Sequence, residues 1–221
     1  MLQPTGGTVH DSPDRAYSSV TEQVLSLPMH DSGSAARLLI SVVLAAFLLA
    51  IAGCTSHTET SVNASFQPAE PFDEDAVAVT YDEGALPAGS DVELTASSTG
   101  DGSTYTLVLD SVQADRDFGA HLHTDPCGQE PEDSGPHYQD EPDPEQPSTD
   151  PEYANPENEV WLDLTTDGAG HGESEATVDW LPRSGEANSV VLHQRHTATA
   201  EGEAGAAGDR LGCVNVSPDF D

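Results

Sequence analysis

Past residue 53 no stretch of this chain sustains a helical period. Short apolar or alternating runs recur instead, at 76–81, 92–97, 105–112, 118–124, 160–165, 176–180, 189–193 and 213–216. Turn signals such as Thr99-Gly100-Asp101-Gly102 and Asp167-Gly168-Ala169-Gly170 separate them. Many short strands joined by Gly-rich turns predict an all-β domain, a sandwich or barrel. Two long stretches, 125–159 and 194–212, carry no strand pattern, and long irregular segments in a compact domain are usually functional. Residues 72–221 suffice for one hydrophobic core.

Histidine placement is the chemical signal. His121 and His123 lie in Phe118-Gly119-Ala120-His121-Leu122-His123, which reads as a strand. Residues i and i+2 of a strand point to the same side, so the two imidazoles face one region of space. His137 follows in the turn-like Ser134-Gly135-Pro136-His137, and His193 closes the apolar run Val190-Val191-Leu192. Any one of these histidines alone reads as a surface group. As a set of imidazoles from three chain segments, they suit a borderline metal such as copper.

His-x-His on a strand, then Cys127, then Gly-Pro-His, then a Val-Val-x-His strand end, then Gly208-Asp209-Arg210-Leu211-Gly212-Cys213, resembles the copper/zinc superoxide dismutases. The resemblance spans roughly 72–217, and the order and approximate spacing of the motifs agree. It implies a Greek-key β-barrel of about eight antiparallel strands, consistent with the all-β pattern. It also implies copper ligation by His121, His123, His137 and His193, and an intrachain disulfide between Cys127 and Cys213. Arg210 matches the arginine beside the open copper face that attracts superoxide.

The chain departs from that pattern after His137. In two-metal members the matching histidine bridges copper to zinc, and the next loop supplies two more histidines and an aspartate. Here 138–159 contains no histidine or cysteine and is dominated by carboxylates, amides and prolines, as in Asp140-Glu141-Pro142-Asp143-Pro144-Glu145. Structural zinc almost always takes His or Cys ligands, so zinc is not expected and the chain resembles the copper-only branch. Without zinc, His137 is expected to serve as a protonatable ligand. His171, in a run reading as a hairpin turn, is expected to be exposed. His196 is left open between a supporting role at the metal and simple exposure.

Ahead of the domain, 38–52 is apolar and follows Arg37. It falls short of the about 20 residues that span a bilayer and reads as the apolar part of a secretory leader. It ends in Ile51-Ala52-Gly53-Cys54, which resembles a bacterial lipobox, so residues 1–53 are read as leader and Cys54 as the lipidated residue. A true start at Met29 would leave a compact basic segment before the apolar run. Residues 54–71, rich in Ser, Thr, Glu and Pro, read as a flexible tether between membrane and domain. With one of the three cysteines lipidated and the other two paired, no odd thiol remains. A disulfide also requires an oxidising compartment, so export and the bridge support each other.

The chain has no lysine, six arginines and forty acidic residues. After the first 53 residues, 36 acids face 4 arginines, a net of −32. Phosphate contacts need a basic surface, so nucleic acid is excluded as a partner. Self-repulsion of this size is tolerable where the Debye length falls to about 3 Å, near 1 M salt. The acidity therefore predicts a salt-adapted source, with an acidic high-GC composition as the plain alternative. The preferred reading is an exported, membrane-anchored copper dismutase acting on superoxide. The rivals are a copper-buffering or copper-delivering lipoprotein without turnover, and a dismutase-like domain without metal. A homodimer is compatible with the sequence and not specified by it.

Overall fold

A computed structural model describes residues 57–218 and 220. The leader, the alternative start at Met29 and Cys54 lie outside the described residues. Among the described residues the regular structure is ten strands and one 3₁₀ turn, Pro131–Ser134. The strands are β1 (His57–Ser65), β2 (Gln67–Pro68), β3 (Ala78–Thr80), β4 (Asp91–Thr99), β5 (Gly102–Asp110), β6 (Asp117–His123), β7 (Leu164–Thr165), β8 (Gly172–Val178), β9 (Ser189–His193) and β10 (Arg210–Asn215).

They form a four-stranded sheet, β1-β4-β5-β8, and a six-stranded sheet, β2-β3-β10-β9-β6-β7. The chain crosses from β5 to β6, returns as β8 beside β5, then crosses again to set β9 beside β6. These paired crossings give the Greek-key connection. All pairings between strands are antiparallel except the short β2–β3 contact, a departure from a purely antiparallel sheet.

Alternation explains the layers. Val92, Leu94 and Ala96 of β4 and Tyr105, Leu107 and Leu109 of β5 share a core with Phe118, Ala120 and Leu122 of β6, Val190 and Leu192 of β9, and Val214 of β10. Each buried large apolar side chain contributes about 1.5–3 kcal/mol relative to exposure. The outward residues of the four-stranded sheet, such as Glu93, Glu173 and Glu175, are exposed.

Three expectations are corrected. Residues 57–68, within the segment expected to be a tether, form β1 and β2, and β1 pairs with β4 along its whole length. Thr58, Thr60, Val62 and Ala64 are half-buried at every second position, a strand pattern that the polar composition masks. Only Leu164–Thr165 of the expected strand 160–165 is regular, although Leu162 N–H still donates to Ala120 O (2.7 Å) beside β6. The turn at 167–170 is a corner between the two sheets, not a hairpin, because β7 pairs with β6 and β8 with β5.

Candidate metal centre

β6 and β9 are buried on both faces. Their second face, carrying His121, His123, Val191 and His193, lies beneath the two long loops. Cross-strand register sets His121 opposite Val191 and Gly119 opposite His193, so three imidazoles share one patch of sheet. The loop after β6 brings the fourth: His137 forms an isolated bridge with His123. The Cys127–Cys213 disulfide ties this loop to β10, with Cα atoms 5.6 Å apart. One ligand-capable atom from each of His121, His123, His137 and His193 lies within 4.8 Å of the others.

Three of the four rings have their outer nitrogen committed to an acceptor. His123 Nδ1–H donates to Gly135 O (2.9 Å), His193 Nδ1–H to Gly208 O (3.3 Å), and His137 Nδ1–H to Glu159 Oε2 (2.8 Å). These acceptors leave the three Nε2 lone pairs facing inward, and those of His123 and His193 are 3.4 Å apart. His121 is reversed: its Nε2 lies 2.7 Å from Thr197 Oγ1, and its Nδ1 is buried without a partner. An orphaned ring nitrogen at 0 % exposure is costly in a metal-free protein, and a metal ion among these four nitrogens would satisfy it. The residues fit such an ion.

Electrostatics prepare the same outcome. Burial, followed by the neighbouring imidazoles, holds His121 and His123 well below the usual histidine value. Burial and His137 lower His193 to about 3. These three rings are therefore neutral at physiological pH, with lone pairs available for a metal.

Around His137 the chain has built a buried carboxylate. The Glu159 side chain is 1 % exposed. Its Oε2 accepts from His137 and from Trp161 Nε1–H (2.7 Å), and its Oε1 accepts from Gln139 Nε2–H (2.7 Å). The outer nitrogen of His137 therefore faces a carboxylate.

A cavity of about 350 Å³ opens over the histidines, lined among others by His137, His193, Gln139, Thr149, Arg195 and Arg210. Arg210 Nη1 donates to Pro131 O (2.9 Å) and Ser134 Oγ (2.7 Å), and its Nη2 to Gly135 O (2.7 Å), all neutral acceptors. Arginine ion pairs among the described residues all belong to Arg183. Arg210 and Arg195 thus bring positive charge to the mouth without a carboxylate partner.

No family model and no curated protein matches the sequence. Solved structures do match. One is a Cu/Zn superoxide dismutase from Brucella abortus, at 18 % identity, 72 % coverage of this chain and 100 % of that chain, with a TM-score of 0.46. A mutant of a SOD-like protein from Bacillus subtilis matches at 13 % identity over 73 % of this chain and 97 % of that chain, TM-score 0.46. The chain is similar to superoxide dismutases and SOD-like proteins. At these values the functional argument stands on the site residues themselves.

The structure gathers the four histidines and places Arg210 beside them. It leaves out two others. His171 pairs with Asp110 (2.9 Å) on the surface, which raises its pKa. His196 is exposed, its Nε2 3.1 Å from Leu164 O and 3.7 Å from Asp117 Oδ1. Four residues of the site escaped the sequence reading: Glu159, Asp163, Arg195 and Thr197. A signal existed for the first two. In Glu159-Val160-Trp161-Leu162-Asp163-Leu164 the apolar residues alternate into the core, which turns Glu159, Trp161 and Asp163 to the histidine side.

Proposed function

We propose that this domain is a copper-dependent superoxide dismutase, exported and held at the membrane by a lipid on Cys54. The observation that carries the reading is four inward-facing imidazoles beneath an open cavity rimmed by two arginines without carboxylate partners. Imidazole sites of this kind favour copper among the divalent first-row metals. His121, His123, His137 and His193 would hold the copper, which would supply one-electron redox chemistry in both directions.

The chain's own residues do the rest. Arg210, positioned by three neutral acceptors, and Arg195 attract the anion against the negative field of the domain. The cavity admits a small anion to His137 and His193. Glu159 Oε2 accepts the Nδ1–H of His137 and so keeps that ring's Nε2 turned toward the other imidazoles, an orientation that needs no zinc. This supports a centre that works with copper alone. A buffering lipoprotein has no need of anion-attracting groups at its mouth, so Arg195 and Arg210 favour turnover over storage.

The test is superoxide consumption by the purified, oxidised, copper-loaded chain. Wild type is expected to consume superoxide catalytically, His193→Ala to fall to background, and His171→Ala to match wild type. Stoichiometric copper with no consumption above background would leave only the buffering role.

A further inference from the structure

The tautomer of His121 is not decided by the group it touches. Thr197 Oγ1 can donate or accept, so a hydroxyl 2.7 Å from Nε2 is compatible with either protonation state. The decision lies one residue further out. Thr197 Oγ1 is also 2.6 Å from Asp163 Oδ1, and Thr197 N–H donates to Asp163 Oδ2 (2.6 Å). A carboxylate only accepts, so the single hydroxyl proton of Thr197 is directed to Asp163. Oγ1 then presents a lone pair to His121 and can only receive Nε2–H.

We infer that Asp163 and Thr197 are positioning residues that set His121 in its Nε2–H form and aim its Nδ1 lone pair at the metal. This rests on the metal-centre reading given above for its effect on copper, and on hydrogen-bond chemistry alone for the tautomer. It gives the orphaned Nδ1 a role: its lone pair, which meets no donor within the protein, is left for the metal. It also explains how the loop after β9 reaches the sheet. A Cβ on Gly119 would lie 2.5 Å from Arg195 O and 2.7 Å from Ala207 Cβ, so only glycine lets this loop lie directly on β6. That approach carries Thr197 to His121 and, through Ala120 N–H to Asp163 Oδ1 (3.4 Å), keeps the carboxylate against the same strand.

The relay can be read without copper. In the metal-free chain at neutral pH, long-range proton–nitrogen NMR of the imidazoles should show His121 protonated on Nε2, with His123 and His193 protonated on Nδ1. Asp163→Asn, which touches no histidine, and Thr197→Val should give His121 a mixed or Nδ1–H signature and weaken Cu(II) binding about 10–100-fold. Thr197→Ser should keep both wild-type properties. An Nδ1–H signature for His121 in the wild-type chain would overturn the inference, whether or not the variants fold. So would wild-type tautomer and copper affinity within twofold in both variants. The NMR arm does not involve superoxide, so loss of the dismutase reading would be seen separately, as copper bound without turnover.

Discussion

On its inner side β6 presents Phe118, Ala120 and Leu122; on its outer side, one residue out of phase, Gly119, His121 and His123. Both sets are buried, yet the two faces are closed by different physics. The inner face meets the apolar residues of β4 and β5 and needs only shape and volume. The outer face is covered by irregular loops, and every polar group there needs a named partner: a carbonyl for His123 and His193, a carboxylate for His137, a hydroxyl for His121. The difference shows how one strand can serve the fold with its even-numbered residues and chemistry with its odd-numbered ones, provided the loops are tied down.

The sharpest way to separate the faces is to damage each alone. His121→Ala should abolish copper binding and superoxide consumption. Leu122→Ala should cost about 2–5 kcal/mol of stability yet retain stoichiometric copper, as read by chemical denaturation and metal analysis. Loss of copper in Leu122→Ala protein that remains folded would break the division.

Acid should attack the outer face first. His121, His123 and His193 have folded-state pKa values below the ordinary value, so between those values and about 6.5 the unfolded chain binds more protons than the folded one. The stability of the metal-free protein is therefore fully present above pH 6.5 and is lost as the pH falls. Each of the three groups contributes up to about 1.4 kcal/mol per pH unit. Denaturation of the metal-free chain from pH 7.5 to 5 checks this; a flat profile would contradict the burial of neutral imidazoles.

The disulfide belongs to the outer face as well, since it fastens the loop carrying His137 to β10. Cys127→Ser with Cys213→Ser should cost about 2–5 kcal/mol and weaken copper binding, whereas a core truncation of equal cost should not. Equal copper affinity in reduced and oxidised protein would show that the loop holds its place without the bridge.

Much of this was legible in advance. Strand 189–193 has the bounds expected from its apolar run, and the His-x-His spacing places both imidazoles on one face because period two leaves no other choice. The bridge between Cys127 and Cys213 followed from the family resemblance. Other parts were hidden by composition: Val62 and Ala64 are the only apolar residues of β1, so its half-buried alternation reads as a linker. Thr197 and its meeting with Asp163 were illegible for a different reason. Both come from loop packing across 34 and 76 residues of sequence, and no local pattern encodes which acid among forty meets which hydroxyl.

A smaller effect concerns the approach to the site. With a net charge near −32 on the domain, second-order superoxide consumption should rise from low to molar salt as repulsion is screened. Arg210→Ala and Arg195→Ala should each lower the rate at every salt concentration, by about tenfold or less, the low end of steering effects. Pulse radiolysis with folding followed in the same samples is the measurement. A steady fall with salt in folded protein would mean that the two arginines outweigh the domain's charge.

Copper without zinc on the outer face of the six-stranded sheet is what we propose. It is tested most directly by metal stoichiometry on the oxidised chain exposed to both metals, alongside superoxide consumption. One copper per chain, no stoichiometric zinc, and activity that follows copper alone are expected. One tightly held zinc per chain, with activity lost when that zinc is removed, would contradict it.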